Sequence, residues 1–157
     1  MPALPFDGYP GRGRKFLRRL PGGISRKGYG EEVLRYCNFR CAYCELDMST
    51  FEGWLQLSTD HVIPQQMIAS GYNADWVLDE ANVVACCRTC NDLFNRDPVI
   101  GEVPLTESGF FDLRDAVFRR RRERILERRE KERQWFDGKV AARLREPRAS
   151  DSGSEGN

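Results

Sequence analysis

Four of the six cysteines form two pairs with the same spacing, in the segments CAYC at residues 41–44 and CRTC at residues 87–90. A C-x2-C pair supplies two thiolates from one tight turn, and zinc binds four thiolates as a tetrahedron at about 2.3 Å. Such a site has no open coordination position, so its zinc holds the domain together and does not react. The sequence therefore predicts a closed structural Zn²⁺ site with the ligands Cys41, Cys44, Cys87 and Cys90.

Cys37 and Cys86 remain outside this set. They are interpreted as core thiols, or as members of a shifted ligand set that combines Cys37 with Cys41. The chain has no run of about 18 apolar residues, and its first twenty residues mix apolar with basic side chains. We therefore expect a cytoplasmic protein without a membrane span, in which cysteines are metal ligands more often than disulfides.

The single histidine of the chain, His61, lies in the insert between the two cysteine pairs and directly follows Asp60. An imidazole with an ordinary pKa near 6.5 can accept a proton from water at neutral pH. An adjacent carboxylate offers oxygen to a hard divalent cation. Two asparagines accompany the second cysteine pair, Asn82 before the apolar segment VVACC and Asn91 immediately after the last cysteine.

Together the segments RCAYC, TDHVIP and EANVVACCRTCN resemble the HNH endonucleases, in many of which a ββα-metal motif lies between two zinc knuckles. The resemblance implies hydrolysis of DNA phosphodiester bonds, with His61 as the general base. It implies that Asp60 and Asn91 bind one catalytic divalent cation, Mg²⁺ or Mn²⁺. It also implies that Asn82 holds the adjoining loop and orients the His61 ring.

Several features leave alternatives open. Asn82 could be an ordinary turn residue. Asn91 could be no more than the first residue of a helix, and Asn95 is then the second candidate for the cation ligand. The segment after Pro64 is longer than in many members of the family and lacks their glycine pair. A lysine that is common three residues after the last family position is Phe94 here. The alternative function is a non-catalytic zinc module that binds nucleic acid or protein, and RNA is an open alternative to DNA as substrate.

Charge is distributed as an acidic middle between two basic flanks. Residues 1–28 contain seven Lys/Arg and one Asp, residues 45–112 contain twelve Asp/Glu and two Arg, and residues 113–157 contain fourteen Lys/Arg and nine Asp/Glu. Basic flanks suit a polyanion such as double-stranded DNA. They could instead lie against the acidic middle, form the solvated face of a helix, or bind a protein partner that supplies specificity. The residues expected to contact phosphates are Arg12, Arg14, Lys15, Arg18, Arg19, Arg119, Arg120, Arg121, Arg122 and Arg124.

The elements that must position these residues indicate an α+β fold: a small zinc-stabilised ββα-metal domain with a basic arm and a long basic helix. We predict a Gly/Pro-rich arm at 1–30, the nuclease domain at 31–105, an Arg-rich helical extension at 106–148 and a polar tail at 149–157. Within them we expect a short helix at 31–37, a strand in WLQLSTDH, a second strand in NVVACC and about two helical turns in TCNDLFNR.

Adjacent residues of a regular strand point to opposite faces, so the first strand must bend or end at its Asp-His pair if both are to reach one phosphate. A helix is also predicted over 111–136. Its apolar positions form only a thin, broken stripe, made of Leu113, Val117, Ile125 and Trp135.

Overall fold

The computed structural model describes residues 5–8, 30–94, 98–99 and 101–146. Within these residues the α-helices are α1 (Gly30–Tyr36), α2 (Phe51–Leu55), α3 (Ala74–Val77), α4 (Glu107–Trp135) and α5 (Ala141–Arg145), and the strands are β1 (Leu57–His61) and β2 (Val83–Cys87). Short helical turns of other types occur at Pro5–Gly8, Gln65–Ser70, Glu80–Asn82, Thr89–Phe94 and Phe136–Val140. The fold is thus mixed, with several helices and one small sheet.

The sheet consists of β1 and β2, which pair antiparallel from Leu57 opposite Cys87 to His61 opposite Val83. Every residue of β2 is buried, which agrees with its continuous apolar sequence. The second strand and its helical continuation at Thr89–Phe94 therefore match the sequence expectation.

The first strand is shorter than predicted because its expected beginning belongs to α2. Thr50 caps that helix, and its hydroxyl oxygen accepts a hydrogen bond from the Gly53 amide at 3.1 Å. Leu55 therefore ends a helix instead of taking part in strand alternation. β1 does end at His61, the place where the sequence required a break in the strand.

Helix α4 packs on the domain along one face. Its buried side chains recur every three or four residues, as one face of a helix requires, and they are Phe110, Phe111, Arg114, Val117, Phe118, Arg121 and Ile125. Of the predicted stripe, Val117 and Ile125 are buried, Leu113 is half-buried and Trp135 is exposed. The stripe looked thin in the sequence because two of its inward positions are arginines.

The predicted arm and extension both contribute to the domain. Phe6, in the turn Pro5–Gly8, places its ring edge-on to Phe118 at 5.4 Å, and the Arg114 guanidinium lies 3.7 Å above the same ring. The chain divides into two compact units between Leu126 and Glu127, so the first part of α4 belongs to the same unit as the sheet.

The second unit contains the end of α4, the turn after it and α5. Its large apolar side chains Trp135, Phe136 and Leu144 are exposed. Among the residues that the structure describes, no helix has the length and apolar character needed to cross a membrane.

Candidate metal centre and catalytic site

The four cysteines of the two C-x2-C pairs come together beside the sheet. Their sulfur atoms all lie within 4.8 Å of one another. The sulfurs of Cys44 and Cys87 are 3.8 Å apart, and a tetrahedron with bonds of about 2.3 Å has edges of about 3.8 Å. The predicted cluster is therefore confirmed, and its donor set could hold a metal ion such as zinc.

Hydrogen bonds join the first cysteine turn to β2, and the second cysteine pair begins at the last residue of that strand. The amide of Ala42 donates to the carbonyl of Ala85 at 2.9 Å, and the amide of Cys87 donates to the sulfur of Cys41 at 3.3 Å. The first turn reverses at Glu45, whose φ of 63° lies in the left-handed region. The two cysteine pairs, which are far apart along the chain, are thus held side by side at β2.

Hydrogen bonds among the thiols separate their pKa values. The pKa of Cys44 is lowered, and that of Cys87 is lowered to about 7, with the bond to Cys41 as the largest cause in both. The pKa values of Cys41 and Cys90 are raised, chiefly by their bonds to Cys44 and Cys41 respectively. Metal binding requires the deprotonated thiolates, so a bound metal would displace the protons of these four groups.

The other two cysteines lie outside the cluster. The sulfur of Cys37 accepts a hydrogen bond from the Ala85 amide at 3.4 Å, and the Cys86 thiol donates to the Ser58 carbonyl at 3.7 Å. Burial raises the pKa of Cys86 well above its ordinary value, so this thiol stays protonated. These contacts favour core thiols over a shifted ligand set.

His61 is the last residue of β1 and is half-buried. Its Nε2 atom lies 3.1 Å from the side-chain nitrogen of Gln65, one helical turn further along the chain. Burial lowers the pKa of His61, and the nearby Asp60 carboxylate only partly opposes that shift. The imidazole is therefore neutral at neutral pH, the form in which it can accept a proton. No motif in the sequence distinguishes Gln65 as a partner of the histidine.

Asn82 holds the chain immediately after His61. Its side chain is fully buried, accepts a hydrogen bond from the Ile63 amide at 2.9 Å, and donates to the carbonyls of Ile63 at 2.9 Å and Val77 at 2.8 Å. Because carbonyl oxygens only accept hydrogen bonds, these contacts fix which side of the amide carries its nitrogen. Asn82 thus bonds both polar groups of the Ile63 backbone.

Asp60 is buried and has two charged or polar partners on the side of α4. The Tyr43 hydroxyl donates a hydrogen bond to Oδ2, and Nη1 of Arg121 lies 2.7 Å from the same oxygen. Burial and the charge of Asp60 raise the pKa of Tyr43 well above its usual range, so its hydroxyl remains a donor. Neither partner is predicted from the sequence. Their signals were a tyrosine inside the first cysteine pair and an arginine at an inward helical position.

Asn91 lies at the start of the helical segment Thr89–Phe94, beside β1. Its side-chain nitrogen donates to the Ser58 hydroxyl oxygen at 2.9 Å and lies 3.4 Å from the Thr59 carbonyl oxygen. The Asn91 side chain therefore reaches β1 at the two residues before Asp60. Its amide oxygen is a ligand of the kind that hard cations prefer.

The arginines of α4 divide into two groups. Arg119 and Arg124 are exposed, whereas Arg121 is only 1% exposed, and its guanidinium is held by Asp60. Arg120 donates to the carbonyl of residue 98 at 2.8 Å. Arg122 binds the carboxylate of residue 45 at 2.5 Å and donates to the backbone carbonyl of residue 43.

The inward arginines thus follow the alternative in which a basic flank lies against the acidic middle. Arg121 in particular is placed to pair with Asp60 and not with a phosphate. The remaining predicted phosphate contacts and the second candidate ligand lie outside the described residues, and these are Arg12, Arg14, Lys15, Arg18, Arg19 and Asn95.

A cavity of about 450 Å³ lies between α1 and α2, and none of the predicted site residues lines it. It is bordered by three aromatic side chains, of which Phe39 is 47% exposed and Phe51 is 69% exposed, with Trp54 stacked on Phe51 at 6.4 Å. The polar groups suited to proton transfer and to binding cations lie instead around β1, next to the cysteine cluster. Comparisons with protein-family models, curated proteins and solved structures give no match for this chain.

Proposed function

We propose that the protein is a metal-dependent endonuclease of the HNH type that hydrolyses phosphodiester bonds in DNA. The observation that carries the proposal is the arrangement around the one histidine of the chain. His61 ends β1, β1 pairs with β2, and β2 leads directly into the second cysteine pair and the helical segment that contains Asn91. This order of two antiparallel strands and a helical turn is that of a ββα-metal motif.

His61 would act as the general base. Its burial lowers the pKa, so the ring is uncharged at neutral pH and can take a proton from the attacking water. The Asn82 hydrogen bonds keep the following loop in place, which limits the freedom of the chain that carries the ring. Gln65 lies within hydrogen-bonding distance of Nε2 and would give way to the attacking water.

Asp60 and Asn91 are the residues that would hold one divalent cation, Mg²⁺ or Mn²⁺. When bound, such a cation polarises the phosphate and stabilises the leaving oxygen. Both residues fit this role, because the two partners of Asp60 end on the same carboxylate oxygen and the Asn91 side chain contacts Ser58 and Thr59, the two residues before Asp60. The cysteine cluster would contribute by fixing the turn that places Asn91.

Of the predicted phosphate contacts that the structure describes, Arg119 and Arg124 of α4 are exposed and could contact phosphates. Such contacts do not depend on base sequence and weaken as salt increases. We therefore expect cleavage with little sequence preference. A protein partner could add selectivity.

Cleavage of supercoiled plasmid tests the proposal. Zinc-loaded wild-type protein should nick the plasmid in the presence of Mg²⁺ or Mn²⁺, and His61→Ala should reduce the rate by about 10²- to 10⁴-fold without loss of zinc. Gln66→Ala, which alters an exposed residue five positions further along, is the matched control and should cleave normally. Equal activity of the wild type and His61→Ala would overturn the proposal.

The second candidate function is a non-catalytic zinc-stabilised module that binds nucleic acid or protein. Two observations favour it: the aromatic cavity between α1 and α2, and the buried ion pair that already engages Asp60. In that case Phe51→Ala should weaken binding to the partner, while His61→Ala should leave it unchanged. A cleavage rate that depends on His61 would show that the protein is not solely a binding module.

A further inference from the structure

Helix α4 buries two arginines seven residues apart on the same face, and they have different partners. Arg114 is paired with its neighbour Asp115 at 2.5 Å and donates to the carbonyl of Ala81. Arg121 reaches across to β1 and binds Asp60, a candidate cation ligand. Arg121 therefore neutralises a carboxylate of the site itself, whereas Arg114 has its own acid on the helix.

The pair of Asp60 and Arg121 is enclosed by the domain. Asp60 is 8% exposed and Arg121 is 1% exposed, and the Tyr43 hydroxyl shares the same carboxylate oxygen. Tyr43 is itself fixed between two cysteines of the cluster, and its ring stacks on Phe118 of α4 at 5.2 Å. A charge that is held from three elements in this way is part of a built site and not a surface contact.

We propose that Arg121 is the internal counter-charge of Asp60 and that it opposes binding of the divalent cation, thereby setting the concentration at which the cation is held. This inference rests on the proposed function, because it takes Asp60 as a cation ligand. A buried carboxylate needs a positive partner. In the cation-free protein, Arg121 supplies that positive charge. A bound divalent cation would bring a second positive charge to the same carboxylate while Arg121 remains beside it.

Two positive charges that share one buried carboxylate repel each other strongly, because water screens them little. Removing the charge of Arg121 should therefore strengthen cation binding. The same substitution should destabilise the cation-free protein, since Asp60 is left without its partner. Tighter binding combined with lower stability distinguishes this role from simple packing.

Titration of zinc-loaded protein with Mn²⁺, followed by electron paramagnetic resonance of the free ion, tests the inference. Arg121→Gln keeps a hydrogen-bond donor but loses the charge, and we expect it to bind Mn²⁺ about tenfold more tightly than the wild type. Arg121→Lys keeps the charge and should remain within about threefold of the wild type. Unchanged or weaker binding by Arg121→Gln would overturn the inference.

Arg114→Gln is the matched control. It removes the other buried arginine of the same helix face, so it should lower the thermal midpoint without changing Mn²⁺ affinity. If Arg121→Gln does not fold alone, Mn²⁺ should restore its folding, because the cation then supplies the missing positive charge. Failure of Mn²⁺ to restore folding would contradict the inference.

Asp60→Asn separates this inference from the proposed function. If wild-type Mn²⁺ binding and DNA cleavage depend on Asp60 but Arg121→Gln leaves the affinity unchanged, only the role of Arg121 fails. If neither binding nor cleavage depends on Asp60, the proposed function fails, and the role of Arg121 fails with it.

Discussion

The cysteine cluster and the region around His61 lie next to each other on the β1–β2 pair, yet their donor atoms are engaged in different ways. The four sulfurs lie within 4.8 Å of one another, close enough to hold a metal ion together. The oxygen donors face protein groups instead: Asp60 binds Arg121 and Tyr43, and Asn91 binds β1 through its nitrogen. One site could hold a metal ion as it stands, and the other is arranged around internal hydrogen bonds and an ion pair.

The two sites are also connected through a single residue. Tyr43 lies between two cysteines of the cluster, and its hydroxyl donates to the Asp60 carboxylate. Loss of the metal at the cluster would therefore move a partner of Asp60. Damage at the cysteine site should affect both sites, whereas damage around β1 should leave the cluster intact.

The largest expected effect comes from removing one cluster ligand. Cys87→Ser should lose the metal and unfold the domain, because a structural zinc site contributes about 10 kcal/mol or more of apparent binding free energy. Cys86→Ser alters the neighbouring buried thiol, which is outside the cluster, and should keep the metal. Elemental analysis for zinc, together with circular dichroism, measures both outcomes. Retention of one zinc by a folded Cys87→Ser protein would contradict the assignment of Cys87 as a ligand of a structural metal site.

A smaller but still large effect is expected at Asn82. Asn82→Asp places a carboxylate oxygen against the carbonyls of Ile63 and Val77, which should cost about 3 kcal/mol or more of unfolding free energy. Asn73→Asp makes the same chemical change at an exposed helix cap, where aspartate is an equally good cap, and should be nearly neutral. Urea denaturation of the two variants gives the comparison, and equal stabilities would show that the Asn82 contacts contribute little.

The sequence was informative where its signals were local. The equal spacing of the cysteine pairs identified the cluster, and the apolar run of β2 identified the second strand. The environment of Asp60 could not be read in the same way, because it depends on Arg121, which is distant along the chain and looked like one of several solvated charges. The period of α4 was hidden for the same reason, since Arg114 and Arg121 occupy inward positions that a hydrophobic pattern counts as polar.

The first strand shows a further limit of local patterns. Leu55 and Leu57 alternate with polar residues as strand residues do, but the Thr50 cap makes the first of them the end of a helix. The helix cap was the competing local signal. Which of the two signals prevails depends on packing that the sequence does not display.

Tyr43→Phe tests the connection between the two sites at a moderate scale. The ring can remain stacked on Phe118, while Asp60 loses one hydrogen-bond donor. We therefore expect the free energy of unfolding to fall by about 1–3 kcal/mol, with the metal retained. Tyr36→Phe removes a less buried hydroxyl that binds Glu32 and should have a smaller effect. Thermal unfolding with parallel zinc analysis measures both variants. Loss of zinc from Tyr43→Phe would show that a change beside Asp60 disturbs the cysteine cluster, contrary to the comparison of the two sites.

The smallest expected effect lies on the surface of α4. Replacing Arg119 and Arg124 together with glutamine should weaken DNA binding and reduce the slope of affinity against salt by about two, with no change in stability. Lys131→Gln alters a lysine already paired with Glu127 at 2.6 Å and serves as the control for loss of a helix charge. Fluorescence anisotropy over a range of salt concentrations measures the slope, and an unchanged slope would remove these arginines from the DNA interface.

The most direct measurement is a crystal structure of the zinc-loaded protein soaked in Mn²⁺, with anomalous scattering recorded at the manganese and zinc edges. The account predicts zinc within the four cysteines and one manganese at about 2.1 Å from oxygens of Asp60 and Asn91, beside the His61 ring. Manganese that is absent from this position at saturating concentration, with zinc present in the cluster, would contradict it.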